Sequence, residues 1–253
     1  MLKKIVLATA LVATASFATW DKFPVLDTHK GQVKVGEVYG IPSDKTSMDD
    51  IYVGARFTVV QNLELATLFK YRVFTDFDGV DGPDGIYNLP LMVRYQFMPV
   101  LNAFLDVDFP IGEEDIGQRD GFGFHFGAQF SQKFGIVALG SELGLQLETR
   151  GDDKTTPPWT LNLGLEGDFE VNSMLTPYVG IDLYMLLGKT TVDGDNIGDS
   201  RTGDLGVAPY LGLVFAFNQM FALDASARFQ FGEDFYGHDD TQMYFDLHLN
   251  INF

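Results

Sequence analysis

Apolar and polar residues alternate with a period of two through most of this chain, up to its last residue. Phe253, Ile251, Leu249, Leu247, Phe245 and Met243 are apolar, whereas Asn252, Asn250, His248, Asp246 and Tyr244 are polar or amphipathic. Such a period gives a strand one face for an apolar medium and one for water. The pattern recurs in about twelve segments of ~10 residues, the length of a tilted strand that crosses a bilayer. They span 31–41, 48–60, 63–75, 86–97, 101–111, 121–131, 134–149, 159–169, 174–187, 205–217, 221–231 and 241–253. In one of them Phe122, Phe124, Phe126, Ala128 and Phe130 oppose Gly123, His125, Gly127, Gln129 and Ser131. The first segment is the weakest, with Val33 and Val35 as its clear apolar pair before Tyr39 and Ile41.

The connections alternate between two kinds. One kind is tiny: Gln61-Asn62, Met98 to Val100, Gln132-Lys133, Glu170 to Ser173, and Asn218 to Met220. The other is long, polar and acidic: Asp76 to Gly85, Glu113 to Asp120, Arg150 to Pro158, Lys189 to Asp204, and Glu233 to Asp240. Short periplasmic turns and longer extracellular loops are the rhythm of outer-membrane barrels. Aromatics gather where the membrane boundaries would fall. Phe57, Tyr95, Phe97, Phe130, Phe134, Phe169, Phe215, Phe217, Phe221 and Phe253 lie near the short turns, and Tyr87, Phe109, Phe122, Trp159 and Phe245 near the long loops. A soluble sandwich or lipocalin-like barrel would alternate as well, with its apolar face turned inward.

The beginning of the chain reads as an export signal. Lys3 and Lys4 precede the apolar run Ile5 to Val12, and Ser16-Phe17-Ala18 offers a small-x-small cleavage site. Residues 1–18 are therefore expected to be removed, and 19–30 to form a short periplasmic segment before a barrel of residues 31–253. Without Lys3 and Lys4 the formal charge moves from −18 to −20, and no cluster of Lys and Arg suits nucleic acid. The sequence has no Cys, which excludes disulfides and thiolate chemistry. After the signal no stretch approaches a spanning helix, so a crossing would need a closed barrel.

Together, the alternating segments, the turn rhythm and the terminal Phe253 resemble the bacterial outer-membrane β-barrel proteins over residues 31–253. The likeness is similar, more loosely, to acidic barrels of about twelve strands regarded as outer-membrane transporters. It implies an all-β fold, a single transmembrane antiparallel up-and-down β-barrel. It also implies an outer-membrane location among lipid and lipopolysaccharide, and recognition of the terminal aromatic by barrel-insertion machinery.

If the apolar face meets lipid, the opposite face lines a lumen. Early strands bring Arg56, Lys70, Arg72 and Arg94 to that face; later ones bring Asp106, Asp108, Glu142, Glu148, Glu166, Asp168 and Asp182. Asp224, Arg228, Asp246 and His248 close the series. A basic sector facing an acidic one could orient a small polar solute or select ions. The same groups could instead pair across strands and rigidify a filled lumen. Gly123, Gly127, Gly144, Gly164, Gly180, Gly206, Ala208 and Gly212 leave room on the inner face for water, or relieve crowding and allow curvature. About twelve strands lie between filled barrels and wide porins, so a narrow channel is expected. A closed barrel with a structural or surface-interaction role is the alternative.

Catalysis is not expected. The histidines are His29, His125, His238 and His248, no G-x-S-x-G occurs, and His125 is six residues from Ser131, too far to bond along one strand. No cofactor is expected. The acidic loops could bridge divalent cations, but Val80, Ile197 and Tyr87 occupy positions where a calcium loop needs oxygen ligands.

Overall fold

The computed structural model describes residues 22–152, 154–236 and 240–253. The expected signal peptide and its cleavage site near Ala18 lie outside these residues, as do His238 and Asp239 of the last loop.

Every alternating segment is a strand. In chain order they are β1 Gly31–Ser43, β2 Thr46–Val60, β3 Leu63–Phe77, β4 Leu89–Met98, β5 Leu101–Phe109 and β6 Gly123–Phe134. The series continues with β7 Val137–Glu148, β8 Trp159–Phe169, β9 Leu175–Leu187, β10 Leu205–Ala216, β11 Phe221–Gln230 and β12 Gln242–Asn252. Each pairs antiparallel with its neighbours in sequence, and β1 pairs with β12 from Gln32↔Asn252 to Ile41↔Met243. The last strand therefore closes on the first, and the sheet has no open edge along that seam. The weak first segment forms because both of its edges are paired, β2 on one side and β12 on the other.

The side chains settle the inside-out question. Gln32, Asp50 and Asn250 are 0% exposed, whereas Leu143, Val179 and Leu211 on the outer face are 55%, 53% and 55% exposed. A water-soluble barrel would have the reverse order. The apolar outer face is flanked by Phe57, Tyr95, Phe97, Phe134 and Phe253 at the end with the short turns, here the turn end. Tyr39, Phe74, Phe109, Trp159 and Phe245 flank it at the opposite, loop end. These two girdles suit rings at the headgroup level. Glu37 interrupts the outer face, exposed in the middle of β1 between Val35 and Tyr39.

The structure departs from the sequence-based expectation at three local points. The turn after β6 is Gly135-Ile136, not Gln132-Lys133, which pair with Leu139 and Ala138. Gly135 has φ +64, a left-handed conformation that glycine adopts without a Cβ clash, and so it fixes the turn there. Tyr87 does not join the loop-end girdle. Strand β4 begins only at Leu89, so the parity of Leu91 and Tyr95 does not extend back to Tyr87, whose hydroxyl points inward to Asp50. Finally, the loop end contains one tight turn, Asp44-Lys45, closed by the Ser43↔Thr46 pair.

The inner glycines are not water spaces. A Cβ on Gly212 would strike the Tyr178 ring, and one on Gly180 the Tyr210 ring, each from the residue paired with it across β9 and β10. Crowding by large neighbours explains these positions.

Long polar loops are the accessible end of a cell-surface barrel. On intact cells, cysteine substituted for Asn196 is expected to react with a membrane-impermeant maleimide, and cysteine substituted for Gln219 to stay silent. The absence of native Cys makes the readout unambiguous. Labelling of the Gln219 position alone would reverse the orientation.

Candidate solute path through the barrel

Alternation on β2 and β3 carries Asp50, Arg56, Glu64, Lys70 and Arg72 to the inside. At the loop end Asp50 accepts from Lys70 Nζ at 2.8 Å, Arg72 Nε at 2.9 Å and the Tyr87 hydroxyl at 2.8 Å. Lys70 also lies 4.3 Å from the Tyr87 ring centroid. Nearer the turns, Arg56 Nη1 is 3.8 Å from Glu64 Oε1. The expected basic sector therefore has its own buried carboxylates, and its field is partly neutralised locally, with Lys70 and Arg72 sharing Asp50. Asp50 and Glu64 share the parity of Arg56 and Lys70 on their strands; that parity is the signal by which the sequence would have disclosed them.

Along the next arc Arg94 binds Asp106 through both nitrogens, with Nη2 at 3.2 Å from Oδ2, and its guanidinium carbon lies 5.0 Å from the Phe104 ring centroid. His125 Nδ1 stands 3.6 Å from Asp106, and its Nε2 is 2.9 Å from Asn162 Oδ1. Asn162 and Gln129 each donate to Glu142 at 2.8 Å. The remaining arc carries Asp182, held by Arg228 at 2.7 Å, and Glu166, which accepts from the Tyr210 hydroxyl at 2.5 Å. Tyr178 donates to Asp224 at 2.8 Å, and Tyr52 to Asp246 at 2.9 Å. Asp168 is buried on the same face. His248 lies between Asp224 and Asp246.

Asp108 belongs to a different environment. It lines a cavity of about 320 Å³ at the loop end with Lys70, Tyr87, Asn88, Arg119 and Glu148. The β5–β6 loop folds inward as its roof. Gly112 N donates to Asn88 at 2.8 Å, Asn88 N to Gln118 at 3.0 Å, and Asn88 Nδ2 to Arg119 O at 2.8 Å. Ile116 of that loop is buried, and Arg119 Nε is 2.7 Å from Glu148. In the other acidic loops Asp84 and Asp193 have partners: Tyr71 donates to Asp84 at 2.6 Å, and Asp193 pairs with Arg150 and with Lys154 at 3.5 Å.

The feature that sequence reasoning missed is the course of residues 22–26. The segment before the barrel, expected to be periplasmic, enters the lumen from the turn end in its described part. Lys22 and Phe23 are 5% and 4% exposed. Lys22 Nζ reaches Asp182 Oδ1 at 2.7 Å, Asn102 Nδ2 donates to Phe23 O at 3.1 Å, and Leu26 N donates to Glu64 at 2.9 Å. Phe23 packs with Tyr178, Tyr210, Val214, Ala216 and Ala222. The chain then leaves by the rim, where His29 N donates to Thr58 O at 2.8 Å, and begins β1.

Solved outer-membrane proteins share this fold. The COG4313 outer membrane channel from Pseudomonas putida F1 superposes with a TM-score of 0.73 at 12% identity, over 93% of this chain and 99% of that one. The translocator domain of the autotransporter NalP from Neisseria meningitidis gives 0.57 at 11% identity, over 90% of each chain. The NanC porin gives 0.56 at 10% identity, over 87% of this chain and 98% of that one. At such identities the likeness is one of fold. No protein-family profile matches the sequence, and no curated protein matches it. A closed antiparallel barrel with an apolar exterior and a polar interior is built for a bilayer, and this chain has the fold of the outer-membrane β-barrels.

Proposed function

We propose that the barrel is a narrow conduit for a small polar solute, closed at its turn end by its own residues 22–26. The occupancy of the lumen carries this reading. A barrel of twelve strands is wider than the eight-stranded kind that its own wall side chains fill. Here part of the interior is filled by a segment outside the sheet, and the wall makes room for it. A Cβ at Gly140 would meet Phe23 and the Lys22 backbone. Above the segment lies the loop-end cavity. The inner face of the β7–β12 arc carries Glu142, Glu166, Asp168, Asp182, Asp224 and Asp246, with Arg228 and the inserted Lys22 both bound to Asp182. Carboxylates prevail there, which favours cations once Lys22 withdraws.

The closed structural barrel is the second reading, and the pairing of Arg56, Lys70, Arg72 and Arg94 with carboxylates favours it. Bilayer recordings of the native protein and of Phe23→Ala separate the two. Truncating a buried Phe costs about 3–5 kcal/mol, and even half of that, spent on docking of the segment, raises the open population about tenfold or more. Expected are rare steps in the native protein and frequent, cation-selective steps in the variant, with selectivity falling as salt rises. Silence from both would favour the closed barrel.

A further inference from the structure

We infer that Asp182, Tyr210 and Glu166 form a subsite for a primary ammonium group, which Lys22 fills as an internal stand-in, and that the solute is a small organic cation. The inference rests on the conduit reading and names the class of solute. Lys22 supplies the observation directly: the molecule holds an ammonium in the lumen. Its Nζ is 2.7 Å from Asp182 Oδ1 and 3.0 Å from Tyr210 Oη, and 5.1 Å from the centroid of the Tyr210 ring. The hydroxyl has a defined direction. It donates to Glu166 at 2.5 Å, and its lone pair is thereby aimed at Lys22. A carboxylate and an oriented phenol oxygen together match an alkylammonium, whose donors need acceptors and whose charge needs a counter-ion.

The subsite does not depend on Lys22 for its shape. Asp182 Oδ2 is held by Arg228 Nη1 at 2.7 Å, and the Arg228 guanidinium carbon lies 4.6 Å from the Tyr210 ring centroid. These contacts keep Asp182 and Tyr210 in place when the segment leaves. The approach is also built into the wall. A Cβ on Gly164 would collide with Lys22 Cε, so β8 keeps a groove beside the ammonium and its methylene stem. A free alkylammonium fits the same groove. It competes with Lys22, and by mass action its binding favours the withdrawn segment.

The probe is n-butylammonium, with butyrate as the control of equal length and opposite charge. Binding is measured by calorimetry on the full-length mature protein in detergent, where no conduction is required. Lys22→Ala vacates the subsite and is expected to bind n-butylammonium about tenfold or more tightly than the native protein does. Butyrate should bind to neither. In the Lys22→Ala background, Tyr210→Phe removes the phenol acceptor and should weaken binding about fivefold or more, with Asp182 and the fold retained. Heat-modified mobility in electrophoresis verifies that each variant is a folded barrel. Equal binding of the two probes, no gain in Lys22→Ala, or indifference to Tyr210→Phe overturns the subsite. Silent bilayers together with selective ammonium binding would remove the conduit and leave the subsite standing.

Discussion

Leu163→Arg is expected to lower the stability of the barrel in lipid by about 2–4 kcal/mol, the cost of a cation on the lipid face at the midplane. Leu163 is 40% exposed, lies midway along β8 and pairs with Leu143 and Leu183. Its guanidinium would have to reach a headgroup past a full half of the apolar band. Leu223→Arg carries the same change to a different depth. Leu223 lies three residues into β11, close to the turn end, where snorkelling is short and the cost falls to about 0–1 kcal/mol. Urea titrations of folded protein in vesicles measure both. Equal costs at the two sites would mean that depth in a bilayer is not what the outer face experiences.

Arg94→Met should be about as damaging, for the opposite reason. It leaves the inward Asp106 without the guanidinium that binds both its oxygens. Breaking a buried pair from one side costs on the order of 3 kcal/mol, whereas replacing both partners by apolar groups is often neutral. His125, 3.6 Å away, is the nearest remaining partner of Asp106 and is not an equivalent of the lost bidentate guanidinium. The double variant Arg94→Met with Asp106→Leu is expected to recover most of the stability. Additive losses in the double-mutant cycle would show that the two groups do not act together.

The strands were legible because a bilayer constrains both faces of every one. Apolar residues must point outward and polar ones inward, so parity survives even in the weak β1, where Glu37 breaks the outer face. Parity also implied that Asp50 and Glu64 face inward, and reading it to the strand ends would have shown that the basic arc contains its own anions. It failed where it ceases to apply. Tyr87 precedes the first paired residue of β4, and the turn at Gly135 is set by a left-handed backbone position, not by polarity. The path of residues 22–26 left no periodic trace. Lys22-Phe23-Pro24-Val25-Leu26 reads as a tail, and its docking depends on Asp182 and Tyr210, which only the closed barrel brings to it. A site made from residues some 160 to 190 positions apart has no local signature.

Nitroxide scanning along β8, residues 159–169, tests the inside-out barrel most directly. Each position in the reconstituted protein is challenged with oxygen, which partitions into lipid, and with a water-soluble nickel chelate. The account predicts an oxygen maximum at every odd position, strongest at Leu163, with minima at Thr160, Asn162, Gly164, Glu166 and Asp168. A profile of opposite phase, or one without a period of two, would contradict it.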